Sequence, residues 1–250
     1  MKKFVSIFAI VTVFAMFGAT SAFALASSKF AAEVSDLMLI PPPPPTSGSK
    51  DTPFRTVLST MIKTPNKKDL LIGGSFETAL FTQTQVTGKN GSTSTSSASA
   101  TLEVRVLIDG QPFNKSTGTG AFPPIVMYDH RAQTLSATLG GVIQSCTVNL
   151  VTGVINVATD CTVTDEMINL ILETMSAHHF NFVAANLDPG VHTVEIQVRS
   201  GSTADTSPAG FGTASATAGV GRGSLTVEEV RAINQIVPGA GIVFDFTTVP

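Results

Sequence analysis

Two runs of alternating apolar and polar residues flank Asp188-Pro189-Gly190 in the stretch from His178 to Ser200, HHFNFVAANLDPGVHTVEIQVRS. Successive side chains of a strand point to opposite faces, so this pattern gathers Phe180, Phe182, Val194, Ile196 and Val198 on one face. With a Pro-Gly step between the runs, the stretch reads as a β-hairpin. A sheet with one apolar face needs a second layer to cover it, and that requirement narrows what the rest of the chain can build.

The same period recurs. Phe54 to Ile62 alternates up to a turn at Thr64-Pro65-Asn66, and Leu70 to Ile72 and Phe76 to Gln85 follow, with Gly73-Gly74 expected as a bulge or bend between two strand halves. Lys89 to Ser97 reads as a loop of Gly, Ser, Thr and Asn. Ala98 to Ile108 is the most regular run and stops at Asp109-Gly110. Asn114 to Phe122 reads as a second loop, and strands follow at Ile125 to Tyr128, Ala132 to Leu139 and Val142 to Val148, with Gly140-Gly141 turning between the last two. Past the hairpin, Ser200 to Gly212 reads as a polar loop, Thr213 to Val220 as a strand, Gly223 to Arg231 as a strand with helix as the alternative, and the tail GIVFDFTTVP as an edge strand or a loose end.

One segment changes period. Thr164 is placed to cap DEMINLILETM, in which Met167, Leu170, Ile171 and Met175 share a helical face and Asp165 and Glu166 occupy the first turn. These elements together predict an all-β fold: a two-sheet antiparallel β-sandwich, jelly-roll-like, with one short inserted helix.

The first residues have another character. Met1-Lys2-Lys3, the apolar run Phe4 to Phe17 and Ala22-Phe23-Ala24 match a signal peptide over residues 1–24. Gly18, Thr20 and Ser21 interrupt the run short of the roughly 20 apolar residues of a membrane span, so no stable membrane insertion is expected after cleavage. The expected location is secreted or periplasmic. Residues 25–53 form an N-terminal extension, with Phe30, Val34, Leu37, Met38 and Ile40 spaced for a short amphipathic helix and Pro41 to Pro45 as a polyproline linker. Its apolar face either packs on its own domain, the sandwich of residues 54–250, or offers a route to a protein partner or to self-assembly.

Without Lys2 and Lys3 the chain carries 13 basic and 18 acidic residues and no basic run. A polyanion requires a concentrated basic face, so no nucleic-acid partner is expected.

Only two cysteines occur, Cys146 and Cys161, separated by TVNLVTGVINVATD. A hairpin turning at Thr152-Gly153 would bring them near opposition, and an exported chain meets oxidising conditions, so a disulfide is expected; two buried thiols are the alternative. Closing that loop contributes about 3 kcal/mol in the chain-entropy view.

The order HHFNFVAANLDPGVHTVEIQVRSG, then a strand of small residues, then GRGSLTVEEVR resembles the C-terminal half of small exported bacterial jelly-roll sandwiches, distantly similar to the C1q/TNF-like arrangement. The likeness spans residues 54–235, with its recognisable wording towards the C-terminus. It implies a fold and no catalytic residues. The segment Cys146 to Met175 departs from the pattern and leaves the strand order there open.

Chemistry-bearing motifs are sparse. Adjacent His178 and His179 point to opposite faces of a strand and cannot share one ion; His192 falls opposite about Asn186 in the hairpin reading, and His130 beside Asp129 reads as a turn residue. With no HExxH or CxxC, no metal site is expected. Nucleophile motifs are missing, and the S-x-x-K match at Ser47 to Lys50 falls in the linker. Glu77, Glu103 and Glu195 are the candidates for the carboxylates of a glycoside hydrolase, which sets two such groups about 5–9 Å apart. Solvated strand glutamates are the alternative, and a chain with no Trp and one Tyr, Tyr128, offers few sugar platforms. Asp129, Asp160, Asp165, Asp188 and Asp205 lie in predicted loops or at a helix start, without a calcium-loop pattern, and Asp109 and Asp188 read first as turn formers. The sequence therefore leads to no catalytic residue, no cofactor and a non-catalytic secreted sandwich acting through protein–protein interaction or assembly; a glycan-binding module or glycoside hydrolase is the alternative.

Overall fold

A computed structural model describes residues 30–35, 48–112, 114, 118–208 and 211–230. The expected signal peptide, the Pro41 to Pro45 linker and the tail GIVFDFTTVP lie outside the described residues. The strands are β1 (Phe30–Ser35), β2 (Gly48–Asp51), β3 (Arg55–Thr64), β4 (Lys68–Gly88), β5 (Ser92–Ile108), β6 (Ala121–Phe122), β7 (Val126–Leu139), β8 (Val142–Cys146), β9 (Cys161–Thr164), β10 (Glu166–Leu187), β11 (Gly190–Ser207) and β12 (Gly212–Val230). A single turn of helix, α1 (Val157–Asp160), precedes β9.

All the pairings are antiparallel. One sheet runs β1-β12-β4-β10-β6 and the other β2-β11-β5-β7, with β3 sharing the free side of β11 with β2. Apart from β5 to β7, the connections between these long strands pass from one sheet to the other, which is the winding of a double-sheet jelly roll. The expected sandwich is thus present, and its short helix lies at Val157–Asp160 rather than after Thr164.

The Asp188-Pro189-Gly190 turn has a different role from the hairpin expected of it. β10 pairs with β4 while β11 pairs with β5, so the turn is an arch between sheets, and Phe182 and Val194 enter one core from opposite sheets instead of sharing a ladder. Alternation identifies the strands and their buried faces, but a short turn serves equally to reverse within a sheet or to cross between two.

Several boundaries shift. The predicted helix at Asp165 to Met175 is strand, continuous with the rest of β10, because its register with β4 runs from Glu166 opposite Gly88 to Ala184 opposite Leu70. The predicted helix near Phe30 is, in its described part, β1, laid against Leu225 and Val227 of β12. Predicted loops at Ser92–Ser97 and Ser200–Ser207 are strand, their hydroxyl-rich residues in register with each other and with β7. Gly73-Gly74 lies in the unbroken β4 ladder; the register break sits on β12, between Val220 and Gly223. Glycine there answers close approach: a Cβ on Gly74 would lie 2.9 Å from Ile196 Cδ1 of the opposite sheet.

Two kinds of interior result. One half is apolar, with Leu58, Ile72, Phe76, Val104, Phe182, Ile196 and Leu225 buried between the sheets. The other half buries Thr82, Thr84, Ser94, Ser96 and Gln133. Each finds a partner: Thr82 donates to Gln133 Oε1 at 2.7 Å, Gln133 Nε2 donates to Thr84 Oγ1 at 2.6 Å and to the Leu170 carbonyl at 3.0 Å, and Ser94 and Ser96 donate to the carbonyls of Thr87 and Thr213. Buried hydroxyls are tolerated when so satisfied.

Candidate functional site

The polar groups singled out by the sequence are scattered by the fold. A register shift where β7 passes Leu102–Glu103 turns Tyr128 and Asp129 both inward. Tyr128 accepts from the Phe76 N–H at 3.0 Å and lies against the carbonyls of Gly74 and His178, and burial pushes its hydroxyl up to about 12. Asp129 Oδ2 receives Thr78 at 2.5 Å and Ser176 at 3.3 Å, and lies 3.3 Å from His178 Nε2. Ser176 and Asp129 converge on the same imidazole nitrogen, whereas a nucleophile and its orienting acid need opposite ring nitrogens. This seam ties β7 to β4 and β10.

His179 points outward, as expected, to Ser75 and Asn181, and His130 lies within β7 rather than in a turn. His192 is buried beside the arch after β10, with Nδ1 2.9 Å from Asp109 Oδ2 and Nε2 2.7 Å from the Asp188 carbonyl. Burial works against its charge, but these two acceptors outweigh burial and its pKa is raised.

The three glutamates do not converge. Glu103 accepts from Arg199 Nε, an interaction that raises the arginine further, and Phe54 caps that pair with Arg105 and Arg199 at 4.1 and 4.8 Å from its ring centre. Glu195 accepts from Thr56 and stands four ladder positions away, since Arg199 faces Glu103 and Glu195 faces Leu107, a separation of about 13 Å. Glu77 is on the outer face of the other sheet, beside Arg222 in a shallow cleft of about 260 Å³ that Val34 and Ser224 also line. The aspartates are also dispersed: Asp165 pairs with Lys89, Asp188 with Lys67, Asp160 accepts from the Asn156 N–H, and Asp205 from the Thr206 N–H. Among the described residues no group of three or more His, Cys, Asp or Glu could hold a metal ion.

What does converge is apolar. Cys146 and Cys161 are directly opposite and joined by a disulfide at the head of the β8–β9 ribbon. The strands expected inside that loop end at the cysteines, and residues 147–160 form turns and α1, the latter capped by Asn156. Among the described residues this ribbon pairs only with itself. At its tip Leu150 and Val151 are 97% and 94% exposed.

The ribbon feeds directly into β10, whose first half is exposed on both faces. Fourteen of the twenty-one exposed large hydrophobics among the described residues fall between Val142 and Met175. From Val142 to Thr164 the one ionisable side chain is Asp160. The sequence reading missed this surface because it assigned Met167, Leu170, Ile171 and Met175 to one face of a helix. The available signal was the loss of alternation: Met167, Ile168, Leu170, Ile171 and Leu172 occupy both parities of one strand.

No protein-family model and no curated protein matches the chain. Among solved structures, a chain in the structure of the infectious bursal disease virus Gx strain aligns with 81% of this chain and 40% of its own length, at 10% identity and a TM-score of 0.12. That likeness is too slight to carry an argument. Among the described residues no helix is long and apolar enough to cross a membrane.

Proposed function

We propose that the protein is a non-catalytic, exported assembly subunit, resembling small exported bacterial jelly-roll sandwiches, that works by burying its Val142–Met175 surface against another protein chain. The observation that carries this reading is the concentration of exposed apolar side chains on the ribbon and the first half of β10. Contiguous apolar surface of this kind marks an interaction site. Export is supported by the leader pattern of residues 1–24 and by a disulfide that an oxidising compartment maintains.

The N-terminal extension contributes differently. Its described parts, β1 and β2, are strands of the molecule's own sheets, which supports a reading in which assembly uses the ribbon and β10 in place of the extension. Sedimentation velocity of the purified protein across a concentration series tests this. Association is expected, weakened by the double change Leu150→Ser, Val151→Ser or by changes in β10; a wild-type protein that stays monomeric throughout would refute it.

A further inference from the structure

We infer that the partner is a second copy of this chain, joined edge to edge through β10 in an antiparallel pair centred on Ile171. This rests on the assembly reading above and specifies its partner. β10 is the outer long strand of its sheet: β4 occupies one side, and on the other β6 pairs at Val183 and Ala184 alone among the described residues. From Glu166 to Phe182 that side carries no strand among the described residues.

Natural edges are protected by charges, above all lysine. β7, at the edge of the other sheet, carries Asp129, His130 and Arg131, and β3 carries Arg55 and Lys63. β10 has no Lys or Arg over its whole length, and its carboxylates between Glu166 and Leu187 are Glu166 and Glu173. It is a long, apolar, undefended edge.

Symmetry and charge then select the register. An antiparallel pair of identical strands has a two-fold axis normal to the sheet, and directly opposed side chains must share a face, so the axis passes through a residue. An axis at Glu173 would set that carboxylate against its own copy, and one at Asn169 would set it against Asp165. Axes at Leu170 or Leu172 would press it against Met167 or Ile171. An axis at Ile171 places Glu173 opposite Asn169, a hydrogen-bonding neighbour, and Glu166 opposite Ser176. On the same face Met167 then meets Met175, and on the other Leu170 meets Leu172. Both copies bury the side chains that are exposed in the single chain, and opposed pairs of this kind are what stabilise a sheet.

Charge reversal at one exposed position tests the register. Asn169→Glu sets carboxylates opposite each other twice per dimer and is expected to weaken dimerisation about tenfold, whereas Asn169→Lys sets an ammonium opposite Glu173 and is expected to strengthen it. In addition, Ile171→Cys is expected to give a covalent dimer on oxidation, because opposed Cα atoms about 5 Å apart lie within disulfide reach. Met167→Cys, eight ladder positions from its copy, is expected not to. If the wild type associates but the two Asn169 changes act alike and Ile171→Cys yields no covalent dimer, β10 pairing is overturned while assembly stands. A monomeric wild type overturns both.

Discussion

His192 Nδ1 stands in hydrogen-bond contact with the Asp109 carboxylate at 2.9 Å, and so joins the arch after β10 to the turn after β5. Its Nε2 faces the Asp188 carbonyl at 2.7 Å, and Asp109 also accepts from the Thr193 N–H at 2.8 Å. Both imidazole partners carry acceptor oxygens, an arrangement that favours the protonated ring, in which both nitrogens donate. The charged groups around it are Asp109, Asp188 and, through Asp188, Lys67 at 3.7 Å.

A pH dependence follows. The His192 pKa is raised above its ordinary 6.5, so its contribution to stability is complete below that value and is lost as pH rises through the higher folded value. The melting temperature is expected to fall from pH 6 to pH 9 with a component that His192→Ala removes. The same change is expected to cost about 1 kcal/mol at pH 6, where it removes the donor facing Asp109 Oδ2 while Oδ1 keeps the Thr193 N–H. Urea titrations at the two pH values measure both effects.

Tyr128→Phe isolates a single buried hydroxyl. It strands the Phe76 N–H, which donates to the tyrosine oxygen at 3.0 Å beneath the sheet. Loss of an otherwise satisfied buried donor is expected to cost about 1–3 kcal/mol, read from urea unfolding, with little change in the far-ultraviolet dichroism.

Gly223→Ala and Gly140→Ala form a matched pair. At Gly223 a Cβ would approach Phe76 Cδ1 to 2.3 Å, so the change is expected to cost about 1–3 kcal/mol through overpacking. At Gly140 nothing lies within 4 Å of the added atom, and the effect is expected to stay within about 0.5 kcal/mol.

The ribbon should uncouple from the sandwich. Replacing both Cys146 and Cys161 by Ser removes a closure across 15 residues, an effect of about 3 kcal/mol in the chain-entropy view, on a unit that pairs only with itself. Hydrogen exchange is expected to accelerate within residues 142–164 and to stay slow in β5 and β11.

The legible part of this fold was its buried faces. Ala98 to Ile108 and Val194 to Val198 alternate because each covers apolar core on one side, and Cys146 and Cys161 revealed their pairing through the turn-bearing segment between them. Where the physical cause of alternation weakens, the pattern weakens. Ser92–Ser97 and Ser200–Ser207 bury hydroxyls such as Ser94, Ser96 and Ser200 in place of aliphatics, and so read as loops. Met167 to Met175 lacks a covered face and so mimics a helix. The sheet to which a strand belongs depends on partners far along the chain, which is why the arch at Asp188-Pro189-Gly190 read as a hairpin. The interaction surface was hidden by the same segment: it is defined by residues that nothing covers, and a sequence does not show cover.

Hydrogen–deuterium exchange at low and high protein concentration tests the central claim most directly. Amides from Met167 to Met175, with those of the ribbon from Val142 to Thr164, are expected to slow as concentration rises, while β3 and β7, the charged edges, exchange at the same rate throughout. Uniform exchange across the concentration range, or protection that appears on β3 or β7 and spares β10, would contradict it.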